Sequence, residues 1–166
     1  METPLTPLEF QRRARALYPD RECVVDGDTR LTYEQFFARC DRWSAALQRM
    51  GIRKGDRVAY VCLNTSSHLE SFYAVPQIGA VLVPINFRLK PQEIEYILQH
   101  CGAKVICAHA DFLDAINVIR AGCPSVEHCV ALEGVDEQWS DYEQLIAAEN
   151  GEVDRPSIDE GDLLTI

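Results

Sequence analysis

The run Val58, Ala59, Tyr60, Val61, Cys62, Leu63 is apolar on six successive residues. A strand with one wet face alternates apolar and polar side chains, so an unbroken run of this length belongs to a strand covered on both faces, as in parallel sheets. The stretches Ala80 to Val83, Lys104 to Ala108 and Cys129 to Leu132 repeat the signal, with helical patterns between them. Alternating strands and helices joined by short connections argue for right-handed βαβ units. The fold class expected is α/β: a layered domain with a mostly parallel sheet flanked by helices, plus a small N-terminal β-hairpin.

The hairpin is read from residues 22–33, ECVVDGDTRLTY, where Asp26-Gly27 separates two short apolar runs. Thr32 and Gln35 form a capping box, followed by Phe36, Cys40, Trp43, Leu47 and Met50 at helical spacing and by Gly51 as the stop. After the long strand, Asn64 is read as a cap and Ser67 with Glu70 as a second capping box. The helix that follows carries Leu69, Phe72, Tyr73 and Val75 as apolar residues, and Pro76 ends or kinks it. Gly79 releases the chain into a second buried strand, Ala80 to Val83, that ends at Pro84. Pro91 opens a helix with Glu93 and Glu95 near its positive end and Ile94, Ile97 and Leu98 as its stripe, closed by Gly102. Asp111 is expected to cap a helix containing Leu113, Ile116 and Ile119, and Ser140 with Glu143 to open the last one. Residues 1–148 are read as one α/β unit. Residues 149–162, with Gly151, Pro156 and Gly161, are read as a polar linker, and Leu163 to Ile166 as the start of a buried strand.

A net charge of −10 opposes binding to a phosphate backbone, so nucleic acid is not an expected partner. Arg12, Arg13 and Arg15 most simply form the wet side of a short helix. Glu2 and Glu9 interrupt any secretory or transit signal, and the longest apolar stretch, Ile78 to Ile85, is far short of the ~20 residues of a membrane span. Seven cysteines, an odd set without a framework, point to reduced thiols and a cytoplasmic location.

Ligands of α/β sheets bind beyond the C-terminal strand ends. The segments there, NTSSH after Leu63 and PINFRL after Val83, have no glycine to let backbone N–H groups close around a phosphate, and neither GxGxxG nor GxxxxGK[ST] occurs. Asn64, Thr65, Ser66 and Ser67 suit helix capping. Cys101, Cys107 and His109 make a C-x5-C-x-H pattern that core packing explains better than metal binding, and His68, His100 and His128 stand isolated near element ends. Asn86 and Arg88 leave a buried strand where a site could form. Their simpler reading is a turn at Asn86 and a pairing of Arg88 with Glu93 or Glu95. No catalytic, cofactor-binding or metal residue is assigned.

The string GDRVAYVCLNTSSHLESFYAVPQIGAVLVPINFRLKPQEIEYILQHCGAKVI, together with the VVDGDTRLTYEQF hairpin and capped helix before it, resembles the N-terminal part of the adenylate-forming acyl-CoA synthetases. That superfamily also holds luciferases and peptide-synthetase adenylation domains, and the match covers nearly the whole chain. The segment AVPQIGAVLVPINFRL is most similar to fatty-acyl or related carboxylate CoA ligases, with aryl-acid ligases as the neighbouring reading.

The resemblance implies a two-step ligation using ATP, Mg²⁺ and coenzyme A. The carboxylate oxygen displaces pyrophosphate from the α-phosphorus, and the CoA thiol then displaces AMP to give a thioester. In relatives a segment like GDLLTI leads into a Gly/Ser/Thr-rich phosphate loop, so this chain is expected to be an N-terminal fragment, inactive alone and without bound cofactor. The resemblance leaves room for a homodimer. Two other classes stand beside it: a non-enzymatic partner-binding module that keeps the ligase subdomain, and a small flavodoxin-like nucleotide binder.

Overall fold

The computed structural model describes residues 5–134 and 136–166; Glu2 lies outside them. Helix α1 (Pro7–Leu17) precedes the hairpin β1 (Glu22–Asp26) and β2 (Thr29–Thr32), which is followed by α2 (Tyr33–Arg49). The chain then alternates: β3 (Arg57–Val61), α3 (Ser66–Ala74), β4 (Val81–Ile85), α4 (Pro91–Cys101), β5 (Val105–Ala108), α5 (Leu113–Ile119), β6 (His128–Ala131), β7 (Ser140–Asp141) and α6 (Tyr142–Ala147). The five-stranded sheet has the order β4-β3-β5-β6-β7, with every pair parallel. The hairpin forms its own antiparallel pair. Among the described residues no helix is long and apolar enough to cross a membrane.

Successive strand residues feed opposite layers. Val58, Tyr60, Cys62, Leu82, Val105, Cys107 and Val130 point into one, with Trp43 and Leu47 of α2, Ala74 of α3 and Tyr142 of α6. Ala59, Val61, Val83, Ile85, Ile106, Ala108 and Ala131 point into the other, under Ile94 and Leu98 of α4 and Ile116 and Ile119 of α5. Both faces are therefore covered, which is why β3 and β5 carry no polar alternation. Full burial of one such aliphatic side chain contributes about 1.5–3 kcal/mol.

Local chemistry sets the boundaries. Thr32 and Gln35 form the expected capping box, with Gly27 at φ 55° in the hairpin turn. Pro91 opens α4, and Gly102, at φ 62°, closes it. Arg12 pairs with Glu9, and Arg15 with Glu34 and Asp41, so these two guanidiniums are held by carboxylates rather than forming a bare patch.

Several expectations are corrected. The second buried strand does not end at Pro84 but runs through it to Ile85. It is an edge strand: the Leu82 N–H donates outward to Leu164 O (2.9 Å) and Leu82 O accepts from Ile166 N–H (3.1 Å). Pro84 has the same phase as Leu82, so its missing donor falls on the outer edge, where a ladder tolerates it. The cap of α3 is Thr65, not Asn64, and Ser67 is buried rather than a capping residue. Asp111 lies in a 3₁₀ turn, Ala110–Phe112, before α5. The cap of α6 is Asp141, whose carboxylate accepts from Gln144 N–H at 2.7 Å, while Ser140 belongs to β7. Leu163 and Ile166 are exposed, and only Thr165 bridges to Leu82, so the terminal residues line the sheet edge instead of entering the core.

The segment after α6 is tied down along its length. Gln48 exchanges two hydrogen bonds with the backbone of Asp154 (2.6 and 3.0 Å), and Arg155 pairs with Asp41 (2.6 Å). Lys54 holds Ser157 O and Asp162.

Candidate functional site

The chain leaves β3 toward β4 on one side and resumes at β5 on the other, so the switch in strand order falls between the C-terminal ends of β3 and β5. That crevice is where doubly wound sheets place ligands. The elements around it deliver the loop after β3, His109 and Asp111 after β5, Glu133 after β6, and Asn86 and Arg88 after β4.

The helix start at this crevice is already occupied by an internal anion. The first turn of an α-helix offers unsatisfied N–H donors and the positive end of its dipole, which together suit a phosphate. In α3 the Ser66 N–H donates to Asp26 Oδ2 at 2.7 Å, and the His68 N–H donates to Thr65 Oγ1 at 3.4 Å. Asp26 comes from the hairpin turn, so the fold itself supplies the carboxylate that a phosphate would otherwise replace.

His109 Nε2 lies 3.1 Å from Glu133 Oε2, and its Nδ1 accepts from the Asp111 N–H at 3.2 Å. With Nδ1 as acceptor, the proton sits on Nε2 and points at the carboxylate. The ring packs near Phe112, which in turn lies against Phe87 at a tilt. The nearby Cys62 thiol does not complete this pair as a nucleophile: it is buried, and burial, helped by Glu133, pushes it up to about 12.

Asn86 makes the expected turn, its Oδ1 accepting from Arg88 N–H at 3.0 Å. Arg88 is corrected: it lies over the Phe87 ring at 5.0 Å, among the described residues without a carboxylate partner, while Glu93 caps α4 through Lys90 N–H at 2.8 Å. Both Asn86 and Arg88 are exposed.

Cys101, Cys107 and His109 are not brought together as ligands. Cys107 is fully buried beside Tyr60, and burial raises its thiol well above the usual range. Cys101 Sγ is bonded to Leu98 O in its own helix. Among the described residues no group of three or more His, Cys, Asp or Glu side chains is placed to hold a metal ion. His128 Nε2 bonds Met50 O at 3.1 Å, and His100 stacks on Tyr96. His68 stacks on Tyr60, and burial lowers its pKa, favouring the neutral ring. The described residues thus offer neither a phosphate cradle nor a Mg²⁺ ligand set, and they do not fit either group.

The functional-looking residue that the sequence reading misplaces is Glu70. It has no exposed surface, accepts from Arg39 Nε at 2.5 Å and from the Tyr142 hydroxyl, and Arg39 also reaches Glu143 at 2.5 Å. Helix α3 is inverted relative to its apolar pattern: it buries Ser67, Glu70, Ser71 and Ala74, while Leu69 and Phe72 are 42% and 41% exposed. The small residues let α2 approach closely, and Ser44 Oγ donates to Ala74 O at 2.7 Å. The signal for this was the run of small residues at positions 67, 71 and 74, one helical face without bulk.

Residues 10–166 match the family described as AMP-binding enzyme. The long-chain-fatty-acid–CoA ligase of Thermus thermophilus is 36% identical over 154 residues, 90% of this chain and 28% of that protein. The peroxisomal benzoate–CoA ligase of Arabidopsis thaliana is 41% identical over 109 residues, 66% of this chain and 19% of that protein. Among solved structures, an anthranilate CoA ligase in complex with anthranoyl-AMP superposes with a TM-score of 0.91 at 25% identity, over 99% of this chain and 31% of that one. The chain therefore spans less than a third of the length of these relatives. It belongs to the AMP-binding enzyme family and corresponds to the N-terminal region of its acyl-CoA ligases.

Proposed function

We propose that this chain is the N-terminal part of an AMP-forming acid–thiol ligase that converts a fatty or similar carboxylic acid into its CoA thioester through an acyl-adenylate. The observation that carries the reading is the 36% identity to a long-chain-fatty-acid–CoA ligase across 90% of the chain. Residues 1–148 are the subdomain proper, and residues 149–166 lead toward a phosphate loop that the whole protein would supply. ATP, Mg²⁺ and coenzyme A belong to that whole protein. The 166 residues alone are inactive, because their sheet crevice carries Asp26 at the α3 start and no glycine-rich loop. An aryl-acid substrate is the second reading, favoured by the benzoate and anthranilate ligases among the relatives. Seven unpaired thiols support a reducing compartment such as the cytoplasm.

The test is pyrophosphate release with ATP, Mg²⁺ and a panel of aliphatic and aromatic carboxylates. It is run on the 166-residue chain and on the same chain carrying whatever its transcript encodes next. Turnover by the longer protein, with a preference for aliphatic acids and none by the short chain, is expected. Turnover by the short chain sinks the inactivity claim, and an in-frame stop after Ile166 sinks the ligase reading of this chain.

A further inference from the structure

A cavity of about 310 Å³ lies between strand β1 of the hairpin and helix α3, at the small end of the range for small-molecule sites. Val24 and Val25 come from the hairpin and Leu69 and Phe72 from the helix, so its walls are mostly apolar. Val25, Leu69 and Phe72 are all exposed, the helix having turned its apolar side chains outward here. His68 also lines the cavity, its ring stacked on Tyr60 with centroids 5.9 Å apart and tilted against Phe72 at 5.3 Å. Its Nε2 is the one buried side-chain nitrogen or oxygen among the described residues without a hydrogen-bond partner. Such orphans are rare in protein interiors and mark a missing donor or acceptor.

Burial favours the neutral ring, which has a single N–H, and a hydrogen bond to the Leu63 backbone engages that N–H on the other nitrogen. Nε2 is therefore a bare acceptor, and what it lacks is a donor. The charge of the cavity narrows the choice. Among the described residues that line it there is no lysine or arginine to hold an anion, and the one carboxylate, Asp26, is already taken by the Ser66 N–H at the positive start of α3. A carboxylate ligand would meet Asp26 with like charge, and a cation would meet the helix start. A neutral hydroxyl on an aromatic ring meets neither: it donates to Nε2, and its ring extends the Tyr60, His68 and Phe72 stack. Nε2 lies beneath the surface, so the ligand reaches it by displacing Phe72, whose exposed ring has solvent to move into.

We infer that this cavity binds a small phenol, its hydroxyl donating to His68 Nε2 and its ring packed against Val25, Leu69 and Phe72. Leaving a buried acceptor unmade costs more than a hydrogen bond ordinarily gains, so the hydroxyl rather than the ring sets the preference. Because the hairpin and α3 both line the cavity, the ligand joins them. Binding requires neither ATP nor a carboxylate, so the inference stands or falls apart from the ligase reading.

The experiment is titration of the isotope-labelled 166-residue chain with phenol, followed by NMR at the backbone amides and the His68 ring nitrogens. Saturable shifts at Val25, His68 and Leu69 with a Kd on the order of 1 mM are expected, together with a shift of the His68 Nε2 resonance as it gains a donor. Anisole, the same ring with its hydroxyl hydrogen replaced by methyl, should bind at least about tenfold more weakly. Benzoate should leave these signals unmoved at concentrations where phenol saturates. His68→Phe keeps the aromatic stack without the acceptor and should make phenol and anisole equal; Leu69→Trp fills the mouth from an exposed helix position and should abolish binding of both. Circular dichroism checks that each variant is folded, and if one is not, the other and the ligand series decide. Absence of saturable shifts at these residues, equal binding of anisole by the unaltered chain, benzoate binding as tight as phenol's, a kept preference for phenol in folded His68→Phe, or full binding by folded Leu69→Trp would overturn the inference.

Discussion

On one face of the sheet, α2, α3 and α6 enclose Trp43, Tyr60 and Tyr142 together with the buried polar side chains Ser44, Glu70 and Gln77. On the other, α4 and α5 close over Val61, Ile85, Ile94, Leu98, Ile106 and Ile116, with no buried charge among them. The first layer is held by directional bonds: Trp43 Nε1 to Tyr60 (2.7 Å), Arg39 and Tyr142 to Glu70, and Gln77 to Cys40 O (3.1 Å). The second is held mainly by packing, with directional bonds such as Trp139 Nε1 to Asn117 Oδ1 (2.9 Å) at its rim. A layer of directional bonds fixes one arrangement of its helices and is punished when a single partner is removed. An aliphatic layer loses stability in proportion to the volume removed.

Equilibrium unfolding in urea turns this contrast into numbers. Glu70→Ala should produce the largest loss, about 3–5 kcal/mol, because it takes the buried carboxylate from Arg39, which keeps only the exposed Glu143, and leaves the Tyr142 hydroxyl unpaired in a closed site. Ile106→Ala should cost about 2–4 kcal/mol on the aliphatic side, scaling with the cavity left. Tyr142→Phe, which deletes one hydrogen bond to the buried carboxylate, should cost about 1.5–3 kcal/mol. Thr32→Ala removes one half of the α2 capping box and should cost about 1 kcal/mol. Equal losses for Glu70→Ala and Thr32→Ala would erase the distinction between the layers.

The pH dependence sharpens it further. Burial, outweighing the opposing pull of Arg39, raises the Glu70 carboxyl above its ordinary value. A carboxyl raised in the folded state contributes stability below its unfolded pKa and loses it as pH climbs through the folded one. Glu34 behaves oppositely: its hydrogen bond to Arg15 lowers its pKa, so its contribution is present at neutral pH and is lost as pH falls through the folded value. Urea unfolding across the acid range should therefore show Glu70→Gln removing a fall in stability with rising pH, and Glu34→Gln removing a rise. Parallel slopes for the two variants would contradict the assignment.

The two layers also differ in how far the sequence reveals them. Ile94, Leu98, Ile116 and Ile119 announce their helices by spacing, and the runs of β3 and β5 announce a sheet covered on both sides. Glu70 does not announce itself. Three residues after a serine at a helix start it reads as half of a capping box, and its burial is decided by Arg39, 31 positions away, and Tyr142, 72 positions away. The same holds at the candidate site. The lack of a glycine-rich loop is plain in NTSSH and PINFRL, whereas the seating of Asp26 at the α3 start depends on a contact across 40 positions. Charge proximity along the chain pairs Arg88 with a carboxylate, but the turn at Asn86 lays it across Phe87 instead.

This chain holds the family's N-terminal fold, and we propose that it lacks the family's nucleotide site. Titration of the 166-residue chain with ATP and Mg²⁺, followed by calorimetry, tests it most directly. The account predicts no saturable binding up to about 1 mM, the weak end of the affinity scale. A dissociation constant in the micromolar range would contradict it and would require a phosphate site among residues 1–166.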